Sequence, residues 1–163
     1  MIIMKDKNQS DSYFLQKAID LAISSVKQHG GPFGAVIVKN GKIIGTGYNQ
    51  VTETCDPSAH AEIMAIREAC KNLNNHQLTN CTIYASCQPC PMCMSAIYWA
   101  RLPKLVFAAT ASDAASAGFD DQFIYDELAK PVSQRSISIE HIDLDDANKS
   151  FEAWASNSSR QEY

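Results

Sequence analysis

The chain has 163 residues, a length that suits one domain burying about 70% of the surface of its unfolded form. Its composition, 45% apolar and 20% charged, excludes intrinsic disorder, and no stretch reaches the ~20 apolar residues of a membrane span. The net charge of −4, with no run of Lys or Arg, argues against a nucleic-acid partner held through its phosphates.

Residues 11 to 29 read as an amphipathic helix: Asp11 or Ser12 can cap it, Phe14, Leu15, Ala18, Ile19, Ala22, Ile23 and Val26 recur near a 3.6 period, and Gly30-Gly31 stops it. A hairpin follows, with strands at 33–38 and 42–48 joined by Asn40-Gly41, a type I′ turn signal. A helix is expected from Ala59 to Leu73, a strand over Cys81–Ser86, a helix over Pro91–Arg101 and a strand over Lys104–Ala109. Asp121–Ala129 reads as a short helix ended by Pro131, Ser136–Ile142 alternates as a fifth strand, and Asp146–Ser156 as a last helix. Elements alternating after an initial hairpin predict an α/β fold with a mixed sheet and helices on both faces. The polar tail 156–163 reads as frayed.

The chemistry concentrates in His60-Ala61-Glu62 and Pro89-Cys90-Pro91-Met92-Cys93. His60, Cys90 and Cys93 form a nitrogen and sulfur donor set suited to Zn²⁺, and three protein ligands leave a tetrahedral ion one position short. Water in that position would have its pKa lowered to about 7. Two residues along a helix are about 200° apart around its axis, so Glu62 does not share the direction of His60 and is free to carry protons. Cys90 and Cys93 share a face if Pro91 sits in the first turn of a helix. Backbone N–H groups near Ala61 and Cys90, at helix starts, add positive potential.

Other readings of these residues stand beside this one. Cys90 and Cys93 alone would suit a redox pair, and Cys87 as a fourth ligand would close a structural zinc site in a binding module without activity. Cys87 ends a strand, where it packs as a small hydrophobe. The remaining cysteines show no secreted-scaffold spacing, and the apolar run Met1–Met4 is too short for a signal-peptide core, so a reducing cytoplasm is expected.

The segments Gly30–Val36, Asp56–Glu62, Ser86–Cys93, Ala96–Arg101, Ala117–Asp121 and Glu162-Tyr163 together resemble the small zinc-dependent bacterial guanine deaminases of the cytidine deaminase superfamily. The His-x-Glu and Pro-Cys-x-x-Cys pieces belong to the whole superfamily, whereas Ala117–Asp121 and the final Glu-Tyr favour guanine. The resemblance implies a cytidine-deaminase-like three-layer α/β/α fold with a five-stranded mixed sheet, a single domain over 1–163, and a Zn²⁺ cofactor. It implies His60, Cys90 and Cys93 as metal ligands and Glu62 as proton shuttle in the hydrolysis of guanine to xanthine and ammonia. Asn49 and Asp121 would read the base, Ala61 would line the site, and Phe33 and Trp99 would lie near the ring plane. Each has a plainer role as well: a strand-end residue for Asn49, a helix cap for Asp121, and core packing for the aromatics.

The resemblance further implies a homodimer in which residues 143–163 are exchanged, with Tyr163 closing the partner's site. Gln88 departs from the Glu common at that place in the family, which removes a charge near the metal. Cytosine, a nucleoside, a triazine or tRNA adenosine remain alternative substrates; the acidic charge argues against the last.

Overall fold

The computed structural model describes residues 10–163; the apolar run Met1–Met4 lies outside them. The described residues form two compact units, one ending at Asp121 and the other running from Gln122 to Tyr163.

The first unit is built on a four-stranded sheet of order β2-β1-β3-β4, with β1 Gly34–Lys39, β2 Lys42–Tyr48, β3 Thr82–Cys87 and β4 Lys104–Ala109. β1 pairs antiparallel with β2 and β3, and β3 pairs parallel with β4. Asn40 and Gly41 both take positive φ, as the tight hairpin requires.

β1 is buried on both faces, and its alternation divides the core in two. Ala35 and Ile37, with Ile83, pack under α3 (Ala61–Leu73) and α4 (Pro91–Trp99). Val36 and Val38, with Tyr84, pack under Phe14 of α1 (Asp11–Lys27). Helices therefore cover both faces, as the three-layer expectation requires.

Small residues set how closely α3 lies on β2. A β-carbon at Gly47 would overlap the carbonyl oxygen of Ala61, and one at Gly45 would lie 2.5 Å from that of Ala65. Ala61, Ala65 and Ala69 recur every four residues and present that contact face. From the same helix, Glu68 accepts the Thr46 N–H and Asn72 donates to the Ile44 carbonyl at 2.9 Å, so both side chains occupy ladder positions on the edge strand β2. The start of α1 is tied to the far strands: the Tyr84 hydroxyl donates to Asp11 at 2.7 Å and Lys104 Nζ to its other oxygen at 2.9 Å.

Several boundaries differ from expectation. α1 ends at Lys27 rather than 29, and His29, not a glycine, takes the left-handed conformation after it. Two short helices add to the expected elements, α2 (Val51–Thr54) and α5 (Ala111–Ser116), the latter opened by a Thr110/Asp113 capping box.

The second unit holds α6 (Gln122–Ala129), a 3₁₀ turn at Val132–Gln134 and α7 (Lys149–Ser156). The expected fifth strand is absent: Ser136–Ile142 alternates correctly but lies in irregular backbone, and a strand requires an edge to bond to. Glu127 instead accepts the Ser136 N–H at 2.7 Å and its hydroxyl at 2.8 Å. No residue from 122 to 163 is buried, and Ile137, Ile142 and Phe151 are each more than 70% exposed. The tail is not frayed, since Arg160 donates to the Ala155 carbonyl at 3.1 Å and the Tyr163 ring meets Trp154 edge-on at 6.3 Å.

Candidate active site

Two helix starts meet at one point. His60 is the N-cap of α3 and Cys90 the N-cap of α4, each with extended backbone, and neither cap is closed by its own side chain. Pro91 occupies the first turn of α4, where its missing N–H costs no helical bond, and Cys93 lies in the same turn, three residues after Cys90. His60 Nδ1 stands 3.5 Å from Cys90 Sγ and 3.6 Å from Cys93 Sγ, and the three donor atoms lie within 4.8 Å of one another.

The donor set fits zinc in kind and in spacing. Bonds of about 2.3 Å to sulfur and about 2.0–2.1 Å to nitrogen at tetrahedral angles put sulfur and nitrogen about 3.6 Å apart. The two cysteines are pushed in opposite directions. Hydrogen bonding from Cys93, followed by that from His60, pulls the Cys90 thiol down to about 4, whereas the same bond and burial push Cys93 up. The Cys90 partner also holds His60 above its ordinary value. A thiolate at a helix start facing an imidazole and a second thiol is a site organised for a cation.

Glu62, in the first turn of α3, is 6% exposed, with Oε2 at 3.4 Å from Cys93 Sγ. Burial raises its pKa, which favours the protonated form more than for a free carboxyl. Asp121 is half-buried; desolvation raises its carboxyl first, and the charge of Cys90 adds to the shift.

The other expected contacts divide. Asn49 follows β2 and is buried, with its N–H donating to the Phe33 carbonyl at 3.1 Å and its Oδ1 accepting from Val51 at 3.3 Å. Phe33 meets Phe119 edge-on at 5.0 Å, and an apolar cavity of about 420 Å³ adjoins both rings, walled by Ile19, Ile23 and Val26 of α1. Gly34, next to Phe33, donates its N–H to the buried Ser86 hydroxyl at 3.0 Å. Ala61 is buried in the first turn of α3 beside His60.

Trp99, in contrast, ends α4 about 12 Å along the helix from Pro91, with the Arg101 guanidinium 5.8 Å from its ring. It lies at the opposite end of α4 from Cys90, away from the three donor atoms. Tyr163 belongs to the second unit, beside Trp154. Sequence reasoning gives no role to Phe119, Ser25 or Ser86; Phe119 and Ser86 sit in the Ala117–Asp121 and Ser86–Cys93 runs, while Ser25 carries no signal of its own. Gln88 donates its N–H to the Ala109 carbonyl at 2.9 Å, and its side chain accepts the Ala111 N–H at 3.4 Å, which links the metal-side loop to the start of α5.

Comparison with known proteins agrees with this geometry. The chain is 51% identical over 151 residues to the guanine deaminase of Bacillus subtilis (strain 168), covering 92% of this chain and 97% of that protein. The X-ray structure of guanine deaminase from Bacillus subtilis superposes with a TM-score of 0.93 at 49% identity, covering 95% of this chain and 99% of that one. The tRNA-specific adenosine deaminase of Aquifex aeolicus (strain VF5) is 36% identical over 137 residues, covering 84% of this chain and 88% of that protein. Residues 8–109 match the model of the cytidine and deoxycytidylate deaminase zinc-binding region, and the chain belongs to that family.

Proposed function

We propose that this protein hydrolyses guanine to xanthine and ammonia. The observation that carries the reading is the buried Glu62 carboxyl set against the His60, Cys90 and Cys93 donor cluster. The choice of guanine is supported by likeness to a guanine deaminase over nearly the whole chain.

His60, Cys90 and Cys93 would hold a zinc ion, whose chemistry when bound is that of a Lewis acid lowering the pKa of water. Water adds through its oxygen at C2 of the base, the carbon bearing the exocyclic amine. Glu62 takes one proton from that water and passes it to ring nitrogen N3, then takes the remaining proton from the C2 hydroxyl and delivers it to the amine, so that the carbon–nitrogen bond breaks, ammonia leaves and the C2 carbonyl forms. Asp121 accepts hydrogen bonds from guanine N–H groups and assists the last transfer. Asn49 reads the purine edge with an amide that both donates and accepts. Phe33 flanks the ring, and the Ala61 N–H at the start of α3 contributes positive potential. Discrimination against adenine comes from polar groups that the wrong base leaves unpaired.

A homodimer in the cytoplasm completes the reading. The second unit has no core of its own and exposes a run of large apolar side chains, and β4 is an edge strand of the sheet. A second copy covers that surface, with residues 143–163 exchanged and Tyr163 closing the partner's site. Six free cysteines suit a reducing compartment, and no helix among the described residues is long and apolar enough to cross a membrane.

The test is ammonia release from guanine, adenine, cytosine, cytidine, a triazine and a tRNA anticodon stem-loop, with zinc measured on the same sample. Guanine is expected to be turned over well ahead of the others by protein carrying one zinc per chain. Zinc-loaded protein that releases no ammonia from any of them would leave a binding module instead.

A further inference from the structure

We infer that Ser25, on α1 and remote in sequence from the motifs, is a positioning residue that fixes Asn49 so that its amide meets the base in one orientation. The inference rests on the reading of Asn49 as the residue that recognises the purine edge. Ser25 is 1% exposed, and its hydroxyl donates to the Asn49 carbonyl at 3.2 Å. A buried hydroxyl committed to a backbone carbonyl 24 residues away is a tertiary anchor rather than a local helix bond.

With that bond, Asn49 is held at three points. Its carbonyl is tied to Ser25, its N–H to the Phe33 carbonyl at 3.1 Å and its Oδ1 to the Val51 N–H at 3.3 Å. The last bond selects the amide flip, because an N–H requires the oxygen and not the NH₂. No partner for the NH₂ occurs among the described residues, which leaves that group and one lone pair of Oδ1 for a ligand.

Two glycines close the arrangement from behind. A β-carbon at Gly30 would overlap the Ser25 hydroxyl and lie 2.8 Å from the Asn49 carbonyl oxygen, so the chain passes directly over the Ser25–Asn49 bond. A β-carbon at Gly31 would lie 3.0 Å from Asn49 Cγ, so this backbone forms a wall for the amide. Gly30 and Gly31, expected to stop α1, serve close approach, while His29 takes the left-handed conformation after the helix.

A purely structural Ser25 hydroxyl would only brace α1 against the chain after β2, since the backbone bonds from Gln28 and Gly30 to the Ser25 carbonyl survive any substitution, and its loss would then lower stability alone. A positioning Ser25 alters base recognition. Steady-state kinetics on zinc-loaded protein with guanine, alongside thermal melting, separates the two for Ser25→Ala, Ser25→Cys, Asn49→Ala and the Ser25→Ala/Asn49→Ala double variant.

Ser25→Ala is expected to raise KM roughly three- to tenfold with kcat changed by less than about twofold, as for one hydrogen bond lost. Ser25→Cys, which keeps a weak donor, should recover part of the loss. In the Asn49→Ala background, Ser25→Ala should add little, because neighbours acting through one group are not additive. An unchanged KM with a lowered Tm, or an equal rise in both backgrounds, overturns the inference while leaving the Asn49 reading intact. If Asn49→Ala itself leaves KM for guanine unchanged, that reading falls and the inference with it. Should Ser25→Ala fail to fold, Ser25→Cys against the wild type carries the same comparison, and an unchanged KM counts against the inference.

Discussion

Gly47 and Ala61 touch backbone to backbone: any β-carbon on Gly47 would occupy the space of the Ala61 carbonyl oxygen, in the first turn of the helix that His60 caps and Glu62 enters. The depth of α3 on the sheet, and so the place of both side chains, is set by a residue that reaches neither. Gly47→Ala must push α3 outward, at a cost of about 1–3 kcal/mol for overpacking. A Tm lowered by several degrees, with zinc content below one per chain, is the expected result; unchanged zinc occupancy would mean that α3 yields without disturbing His60.

Glu62→Gln keeps shape and removes the titratable oxygen. Zinc content should stay at the wild-type level while turnover of guanine falls by roughly 10² or more. Metal analysis beside an ammonia assay checks both halves, and zinc lost with the substitution would make Glu62 a ligand.

The Asp11, Tyr84 and Lys104 cluster predicts how stability follows pH. Hydrogen bonds from Lys104 and Tyr84 hold the Asp11 carboxyl below its ordinary value of 3.8, so its contribution is present above that value and is lost as pH falls through the lower folded one. Tyr84 moves oppositely. Burial, and then its bond to Asp11, push its hydroxyl from 10.0 to about 12, so its contribution is complete below about pH 10 and disappears as pH rises through about 12. Urea midpoints of wild type and Tyr84→Phe should therefore differ at neutral pH and converge toward pH 12. A gap that stays constant across the alkaline range would show that the hydroxyl contributes nothing.

Trp154 carries the Tyr163 ring on α7. If Tyr163 closes a neighbouring site, deletion of Tyr163 should lower activity while the dimer persists, and Trp154→Ala should reproduce part of the loss. Light scattering and guanine kinetics on the same preparations decide the matter; unaltered kinetics in both variants would give the ring pair a role in packing the tail alone.

The metal cluster and most of the sheet are legible in the amino-acid sequence because they depend on local rules. Pro91 marks the start of α4, Asn40-Gly41 the hairpin, and the strand-like runs on either side of it β1 and β2. What sequence misreads is of another kind. Ser136–Ile142 has the pattern of a strand, but pattern supplies no neighbouring edge, and within its own unit none is paired with it. α5 is too short for a helical period to register, although Thr110 and Asp113 carry a capping signal. Ser25 and Asn49 are joined only by tertiary contact, which periodicity does not report.

The two sides of the sheet differ in what they offer to another molecule. On β2, Glu68 and Asn72 already fill ladder positions at Thr46 and Ile44, whereas β4 is paired only through β3. Head-to-tail stacking, which would join a β2 to the next copy's β4 and run on without limit, is thereby obstructed at one end. An open-ended array built by joining one sheet edge to the next is therefore disfavoured, because one of the two edges has no free ladder positions at Ile44 and Thr46.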